Sequence, residues 1–135
     1  MNATARKFDY LVFIGRFQPL HNGHVHVISR ALASAEKVIV LVGSANVARS
    51  PRNPFTYEER RDMILAAAKS GEIEGGEGRL IVRPIGDFTY NDQAWIARVQ
   101  KSVDDAILAD ANPNAHVTLH GLRDFRVGQI GRAHV

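Results

Sequence analysis

The chain of 135 residues contains no cysteine, so disulfides, thiolate metal ligands and a cysteine nucleophile are all excluded. It also lacks an apolar run long enough to cross a membrane and lacks the pattern of a signal peptide, which argues against a membrane anchor and export. The net charge is +3, but the lysines and arginines are scattered and form no dense basic run, which argues against nucleic acid as a partner. Together these absences favour a cytoplasmic protein.

The composition that remains, 45% hydrophobic and 23% charged, is that of an ordinary globular domain long enough to bury a core. Helical spacing of apolar residues predicts helices at about 24–35, 56–71 and 92–107, the second with a capping box at Thr56 and Glu59. Runs of apolar and β-branched residues predict strands at 10–14, 37–42, 80–82 and 116–119. This alternation predicts an α/β fold, a Rossmann-like parallel sheet with helices on both faces, whose ligands bind beyond the carboxyl ends of the strands.

The segment from Gly15 to His24, GRFQPLHNGH, directly follows the first predicted strand and opens the first predicted helix. A strand that ends in a tight Gly/Pro turn before a helix presents backbone N–H groups and the positive end of the helix dipole to an anion. His21 and His24 can each donate a hydrogen bond to a phosphate oxygen, and Gly23 lets the backbone approach closely. The pattern therefore predicts a site for nucleotide phosphates at the end of the first strand.

This segment resembles the HxGH signature of the nucleotidyltransferase superfamily, and its longer form GRFQPxHxGH is similar to the nicotinamide-mononucleotide (NMN) adenylyltransferases. The resemblance implies the HxGH nucleotidyltransferase fold and an enzyme that transfers the adenylyl group of ATP to NMN, giving NAD and pyrophosphate. It also implies Mg²⁺ bound with ATP, catalytic roles for His21 and His24, and nucleotide binding by Gly15, Arg16, Phe17 and Gly23. Two alternatives stay open: an adenylyl- or cytidylyltransferase for another phosphate substrate, such as phosphopantetheine, and a non-catalytic nucleotide-sensing module.

Three further segments resemble parts of the same family and imply contacts with NMN. Residues 52–60, RNPFTYEER, resemble the RNPFxxxER loop and helix start, which implies substrate binding by Arg52 and Asn53, and Ser44 lies in a GSA segment like that of the family. Residues 87–95, DFTYNDQAW, resemble a segment of bifunctional bacterial enzymes that join this domain to a Nudix hydrolase. That likeness implies that Trp95 stacks on the nicotinamide ring and that nearby amides such as Gln93 fix the carboxamide. Because Trp95 also begins the apolar stripe of its helix, a position in the core is the alternative.

The family's second phosphate-binding signature, of the form ISSTxxR or SGTEIR, has no match in this chain. We therefore expect residues 1–129 to be an incomplete, C-terminally truncated nucleotidyltransferase domain that is weakly active or inactive. Residues 130–135, IGRAHV, are what the codons ATC GGA AGA GCA CAC GTC encode, and that string resembles a sequencing-library adapter, so we expect a non-native read-through tail. A Nudix domain after residue 129 and assembly into a homo-oligomer stay open.

Overall fold

The computed structural model describes residues 8–86 and 92–110, in which strands alternate with helices. The elements in chain order are β1 (Phe8–Gly15), α1 (Asn22–Ser34), β2 (Ala35–Val42), α2 (Tyr57–Ser70), β3 (Leu80–Pro84) and α3 (Asp92–Ala109). The first three predicted strands and the three predicted helices are confirmed. The predicted strand at 116–119 and the tail at 130–135 lie outside the described residues. Within 8–86 and 92–110, no helix combines the length and the apolar character needed to cross a bilayer.

β2 is the central strand of a parallel sheet with the order β1-β2-β3. The side chains from Val38 to Val42 have no exposed surface, because helices cover both faces of such a sheet and require a continuous apolar run. In the observed register Gly15 pairs with Val42, and Val42 pairs in turn with Pro84. The carboxyl ends of all three strands therefore meet at the same end of the sheet.

The contacts of β1 confirm that helices cover both faces of the sheet. Phe13 faces α1, where its ring centroid lies 6.3 Å from that of His24. Tyr10, three positions earlier on the strand, points to the opposite face, where its hydroxyl donates to Asp110 at the end of α3. α3 follows β3, and Asp110 at its end contacts β1 and β2 on the face of the sheet opposite α1. Open α/β sheets bind their ligands beyond the carboxyl ends of the strands.

Local signals set both ends of α2, as the sequence predicts. The N–H of Glu59 donates to Oγ1 of Thr56 at 3.1 Å, and the carboxylate of Glu59 accepts from the N–H of Thr56 at 2.9 Å, which completes the predicted capping box. At the other end Gly71 has a φ of 93°, the left-handed conformation that commonly terminates a helix. The start of α2, which follows the loop after β2, is therefore fixed.

A polar cluster fastens the end of α3 to the sheet near the starts of β1 and β2. Asp110 accepts from the hydroxyl of Tyr10 and pairs with Lys37, whose Nζ lies 2.6 Å from Oδ1 of the carboxylate. The hydrogen bonds from Lys37 and then Tyr10 lower the pKa of the Asp110 carboxyl, against a smaller opposing effect of desolvation. The charged form of Asp110 is therefore stabilised by folding.

Replacing Asp110 with asparagine is expected to lower stability mainly where the carboxyl is ionised. Because folding lowers its pKa, Asp110 contributes stability above its usual pKa of 3.8, and this contribution is lost as the pH falls through the lower folded value. The urea midpoint of Asp110→Asn should therefore lie below that of the wild type at pH 7, and the gap should narrow below about pH 4.

The control for this prediction is Asp105→Asn, which removes an exposed ion pair with Lys101 at 3.2 Å and should shift the midpoint less. A gap between wild type and Asp110→Asn that has the same size at pH 7 and at pH 3 contradicts the ionic role of Asp110.

Candidate nucleotide-binding site

Two histidines cap α1, and each binds the backbone around the other. His21 is the N-cap residue, and its Nδ1 accepts from the N–H of Gly23 at 3.0 Å and, at 3.4 Å, from that of His24. Nδ1 of His24 accepts in turn from the N–H of His21 at 3.2 Å. This is a capping box with imidazoles in place of the usual hydroxyl and carboxylate. The motif predicted both histidines at the anion site but not this capping, because histidine is not a preferred N-cap residue.

The capping contacts fix which nitrogen of each imidazole carries the proton. A backbone N–H can only donate, so the Nδ1 atom that accepts from it holds no proton, and the proton of the neutral ring sits on Nε2. The hydrogen-bond donor of each neutral ring is therefore its Nε2–H. Because the rings stack with centroids 3.7 Å apart and planes 22° apart, the two donors belong to one compact unit.

Aromatic packing supports His24 from within the protein. His24 is only 9% exposed, with its ring centroid 4.5 Å from that of Phe17, whereas His21 is exposed. Phe17 is buried and has a φ of 52°, which is unusual for a bulky residue. Its ring folds back over Gly15, where an added Cβ would lie 3.0 Å from Cζ of the ring. Phe17 and Gly15 thus help to place His24, while their predicted contacts with a nucleotide stay predictions.

Gly23 makes room for the imidazole of His21. A Cβ at Gly23 would lie 2.9 Å from Cε1 of His21, so a larger residue would push the ring away from the backbone N–H groups that it caps. The structure therefore gives this glycine a role in placing a histidine. Its predicted close approach to a phosphate stays a prediction.

Arg60 organises the loops beyond the strands, and the sequence patterns did not reveal it. Its side chain is 1% exposed, and its guanidinium donates to the carbonyl oxygens of Arg16 at 2.8 Å, Gly43 at 2.6 Å, Ser44 at 3.5 Å and Thr56 at 3.2 Å. These carbonyls follow β1, follow β2 and precede α2, so one side chain joins the loops at this end of the sheet. The RNPFxxxER likeness included Arg60, but spacing alone does not indicate that an arginine in the first turn of a helix is buried.

The loops after β1 and β2 bring together three of the predicted site residues. Nη2 of Arg16 donates to Oδ1 of Asn53 and, at 3.4 Å, to the backbone oxygen of Arg52. The arginine predicted to bind the nucleotide therefore lies beside the pair predicted to bind the second substrate. The side chain of Arg52 is exposed.

Ser44 lies next to the end of β1, but its side chain is not on the surface. It is 6% exposed and has a φ of 52°. The N–H of the preceding Gly43 donates to the oxygen of Gly15 at 2.7 Å, which brings the ends of the two strands together. Since the side chain is buried, a substrate contact at Ser44 would be made by the backbone, as the GSA resemblance implies.

Gln93 and Trp95 lie in the first turn of α3. Trp95 is half-buried and packs against the hydrophobic core, whereas Gln93 is exposed. In the part of the chain that the structure describes, no hydrogen bond or ring contact joins either residue to the stacked histidines. Partial burial is compatible with both interpretations of Trp95, because part of the indole packs while the rest stays accessible.

The alternating strands and helices form an α/β domain, and the candidate site, with its histidine-capped helix, lies beyond the carboxyl end of β1. The chain belongs to the cytidylyltransferase-like family, whose model matches residues 12–126. It is 43% identical over 115 residues to a nicotinamide/nicotinic acid mononucleotide adenylyltransferase of Acinetobacter baylyi, a match that covers 85% of this chain and 56% of that protein. It is 36% identical over 80 residues to a nicotinamide-nucleotide adenylyltransferase of Thermococcus kodakarensis, covering 59% of this chain and 42% of that protein.

Solved structures show the same fold. A bifunctional NMN adenylyltransferase/ADP ribose pyrophosphatase from Francisella tularensis superposes with a TM-score of 0.68 at 28% identity, covering 87% of this chain and 36% of that chain. A second structure of that description, in complex with AMP and a manganese ion, has a TM-score of 0.68 at 29% identity and covers 87% of this chain and 35% of that chain. The chain spans about half the length of the curated relatives that it matches.

Replacing Arg60 with methionine is expected to destabilise the protein strongly. Methionine is also long and flexible but cannot donate a hydrogen bond, and a buried carbonyl that loses its donor costs about 1–3 kcal/mol. Because several carbonyls lose their donor at once, the free energy of unfolding in urea should fall by about 3 kcal/mol or more.

Arg61→Met is the matched control for Arg60→Met. Arg61 follows Arg60 in α2, is partly exposed and pairs with Asp62 at 3.1 Å, so its loss should cost less than about 1 kcal/mol. Equal urea midpoints for the two variants contradict the role of Arg60.

Proposed function

We propose that this chain transfers the adenylyl group of ATP to NMN, giving NAD and pyrophosphate. The observation that carries the proposal is the stacked histidine pair that caps the start of α1, in which Nδ1 of each ring accepts from the backbone and Nε2–H is the donor of the neutral ring. NMN as the acceptor is supported by relatives named as nicotinamide-nucleotide adenylyltransferases and by one named as a nicotinamide/nicotinic acid mononucleotide adenylyltransferase. A cytoplasmic location and a domain boundary at residue 129 stay predictions.

In the proposed reaction a phosphate oxygen of NMN attacks the α-phosphorus of ATP in line and forms a new P–O bond. The bond from the α-phosphorus to the oxygen that bridges it to the β-phosphate breaks, and pyrophosphate leaves with that electron pair. The attacking phosphate is already ionised, so no strong general base is needed. The rate then depends on positioning and on stabilising the negative charge of the phosphates.

The protein's part in this reaction is to hold the phosphates with groups that are in place beforehand. His21 and His24 donate from Nε2 to phosphate oxygens of ATP, and the N-terminus of α1 adds the positive end of its dipole. Because the caps already fix the tautomer of both rings, these donors need no rearrangement when the substrate binds. Arg16, which directly follows β1, adds positive charge at the same end of the sheet.

Mg²⁺ enters this proposal as part of the substrate Mg-ATP, held largely by phosphate and water oxygens. Among residues 8–86 and 92–110, no group of three or more His, Asp or Glu side chains is arranged to hold a metal ion. Because Mg²⁺ keeps mostly phosphate and water oxygens as ligands, the proposed reaction needs no metal-binding side chain.

The acceptor is proposed to bind along the loop after β2 and the first turn of α3. Arg52 and Asn53 contact its phosphate, and Ser44 contacts it through the backbone. The indole of Trp95 suits the positively charged nicotinamide ring, since a cation over an aromatic face is stabilised by about 0.5–2 kcal/mol. The exposed amide of Gln93 can both donate to and accept from the carboxamide of the substrate.

A fluorescence titration tests the acceptor. Trp95 is the only tryptophan, so its emission reports one place in the molecule. NMN, phosphopantetheine and glycerol 3-phosphate are added in separate titrations, each with and without Mg-ATP. Of the three ligands, only NMN is expected to quench the emission saturably, because its ring stacks on the indole. The matched control carries Trp95→Phe together with Ile96→Trp, which moves the indole to a neighbouring exposed position. It should lose the quenching.

The other outcomes of this titration decide between the alternatives. A folded chain that binds ATP but does not respond to NMN makes Trp95 a core residue and contradicts NMN as the acceptor. Saturable quenching by phosphopantetheine instead indicates a sister adenylyltransferase.

His24→Ala tests the phosphate-binding role of the histidine pair. The variant loses one hydrogen-bond donor to a developing negative charge, so its turnover should fall by roughly a hundredfold or more. Turnover is measured as the release of pyrophosphate from ATP in the presence of NMN. Where turnover of the wild-type chain is below detection, affinity for Mg-ATP in equilibrium dialysis provides the comparison. His26→Ala, an exposed histidine on the same helix, is the control and should behave as the wild type. A His24→Ala chain with the wild-type rate and affinity contradicts the assignment.

A further inference from the structure

Gln18 joins the loop after β1 to the loop after β2 by a pair of hydrogen bonds. Its Nε2 donates to the backbone oxygen of Phe55 at 3.1 Å, and its Oε1 accepts from the backbone N–H of Phe55 at 2.9 Å. The two residues are 37 positions apart in the chain. Gln18 is half-buried, which shields the pair from competition by water.

The chemistry of this contact requires a carboxamide. A primary amide carries a donor and an acceptor side by side and so matches both backbone groups of Phe55, as one rung of a β-ladder does. A carboxylate can accept from the N–H of Phe55 but places a second oxygen against its carbonyl. The contact therefore fixes the position of the Phe55 backbone relative to the loop after β1.

The segments held together by Gln18 carry the groups assigned to the two different substrates. Gln18 lies between Arg16 and His21, which are assigned to ATP. Phe55 lies two residues after Asn53, which is assigned to NMN and accepts from Arg16. The Gln18–Phe55 and Arg16–Asn53 contacts together form what we call the loop clasp.

We propose that Gln18 is a positioning residue that couples the binding of the two substrates through the loop clasp. The inference rests on the proposed function, because it takes ATP and NMN as the ligands of the two loops. A substrate that orders one loop also orders the other through the clasp, so the second substrate loses less conformational freedom when it binds. Each substrate therefore raises the affinity for the other by the same factor, as linkage requires.

The test measures that factor by isothermal titration calorimetry. NMN is titrated into the chain alone and into the chain saturated with the magnesium complex of α,β-methylene-ATP, whose bridging carbon prevents release of pyrophosphate. The wild type should bind NMN about fivefold or more tightly with the analogue present. Gln18→Glu keeps the length of the side chain but loses the donor, and it should reduce this factor to less than about twofold. In Gln18→Glu, the affinity for NMN alone and the affinity for the analogue alone should change by smaller ratios than the coupling factor does. A residue with a merely structural role would instead weaken the binding of each ligand alone.

Two further variants make the result decisive. Gln18→Met removes both hydrogen bonds without adding charge and should lose the coupling as well. Gln100→Glu makes the same chemical change at an exposed position on α3 and should keep it. Full coupling in Gln18→Glu and Gln18→Met, or independent binding of the two ligands by the wild type, overturns the role of Gln18 and leaves the proposed function standing. A wild-type chain that binds the analogue but not NMN contradicts the proposed function itself and the inference with it.

Discussion

The guanidinium of Arg60, buried among the carbonyl oxygens of Arg16, Gly43 and Ser44, holds together the end of the sheet where the candidate site lies. Where parallel strands end, the last backbone carbonyls leave the ladder and need new donors. Water cannot supply those donors under packed loops, so a side chain must. Arginine suits this position because it presents five N–H donors in a rigid planar fork and stays charged when buried. Once these carbonyls are satisfied, the strand ends come close enough for the N–H of Gly43 to bind the oxygen of Gly15.

The histidine pair depends on that framework and divides its nitrogens between two tasks. Nδ1 of each ring satisfies backbone N–H groups at the start of α1, which any good cap would do, while the proton of each neutral ring is on Nε2, the nitrogen proposed to contact phosphate. The buried ring of Phe17 supports His24, and the absence of a side chain at Gly23 leaves space for His21. The contacts that cap the helix are therefore the same contacts that set the geometry of the candidate site. This explains why both ends of the HxGH segment have to be histidine if the site is to hold anions.

Much of the fold could be predicted because its signals are local. Continuous apolar runs mark strands that are buried on both faces, and Thr56 with Glu59 and Gly71 mark the ends of α2 through contacts within a few residues. The alternation of strands and helices, together with a Gly/Pro turn after β1, also predicted where the histidine-capped helix would begin. What spacing could not indicate is which polar side chains would be buried. Arg60 is followed by a second arginine, and only the fold separates the buried residue from the partly exposed one.

By itself, the sequence determined the secondary structure of the described residues, the parallel α/β architecture and the position of the HxGH segment at the end of β1. It could do so because periodicity, caps and turns act over a few residues. The tertiary structure alone decided the loop clasp through Gln18, the burial of Arg60 and the contact between Tyr10 and Asp110, whose partners lie 37, 44 and 100 positions apart. Such contacts form only when packing of the core brings distant segments together, and a polar side chain has no local preference that identifies which distant partner it will meet.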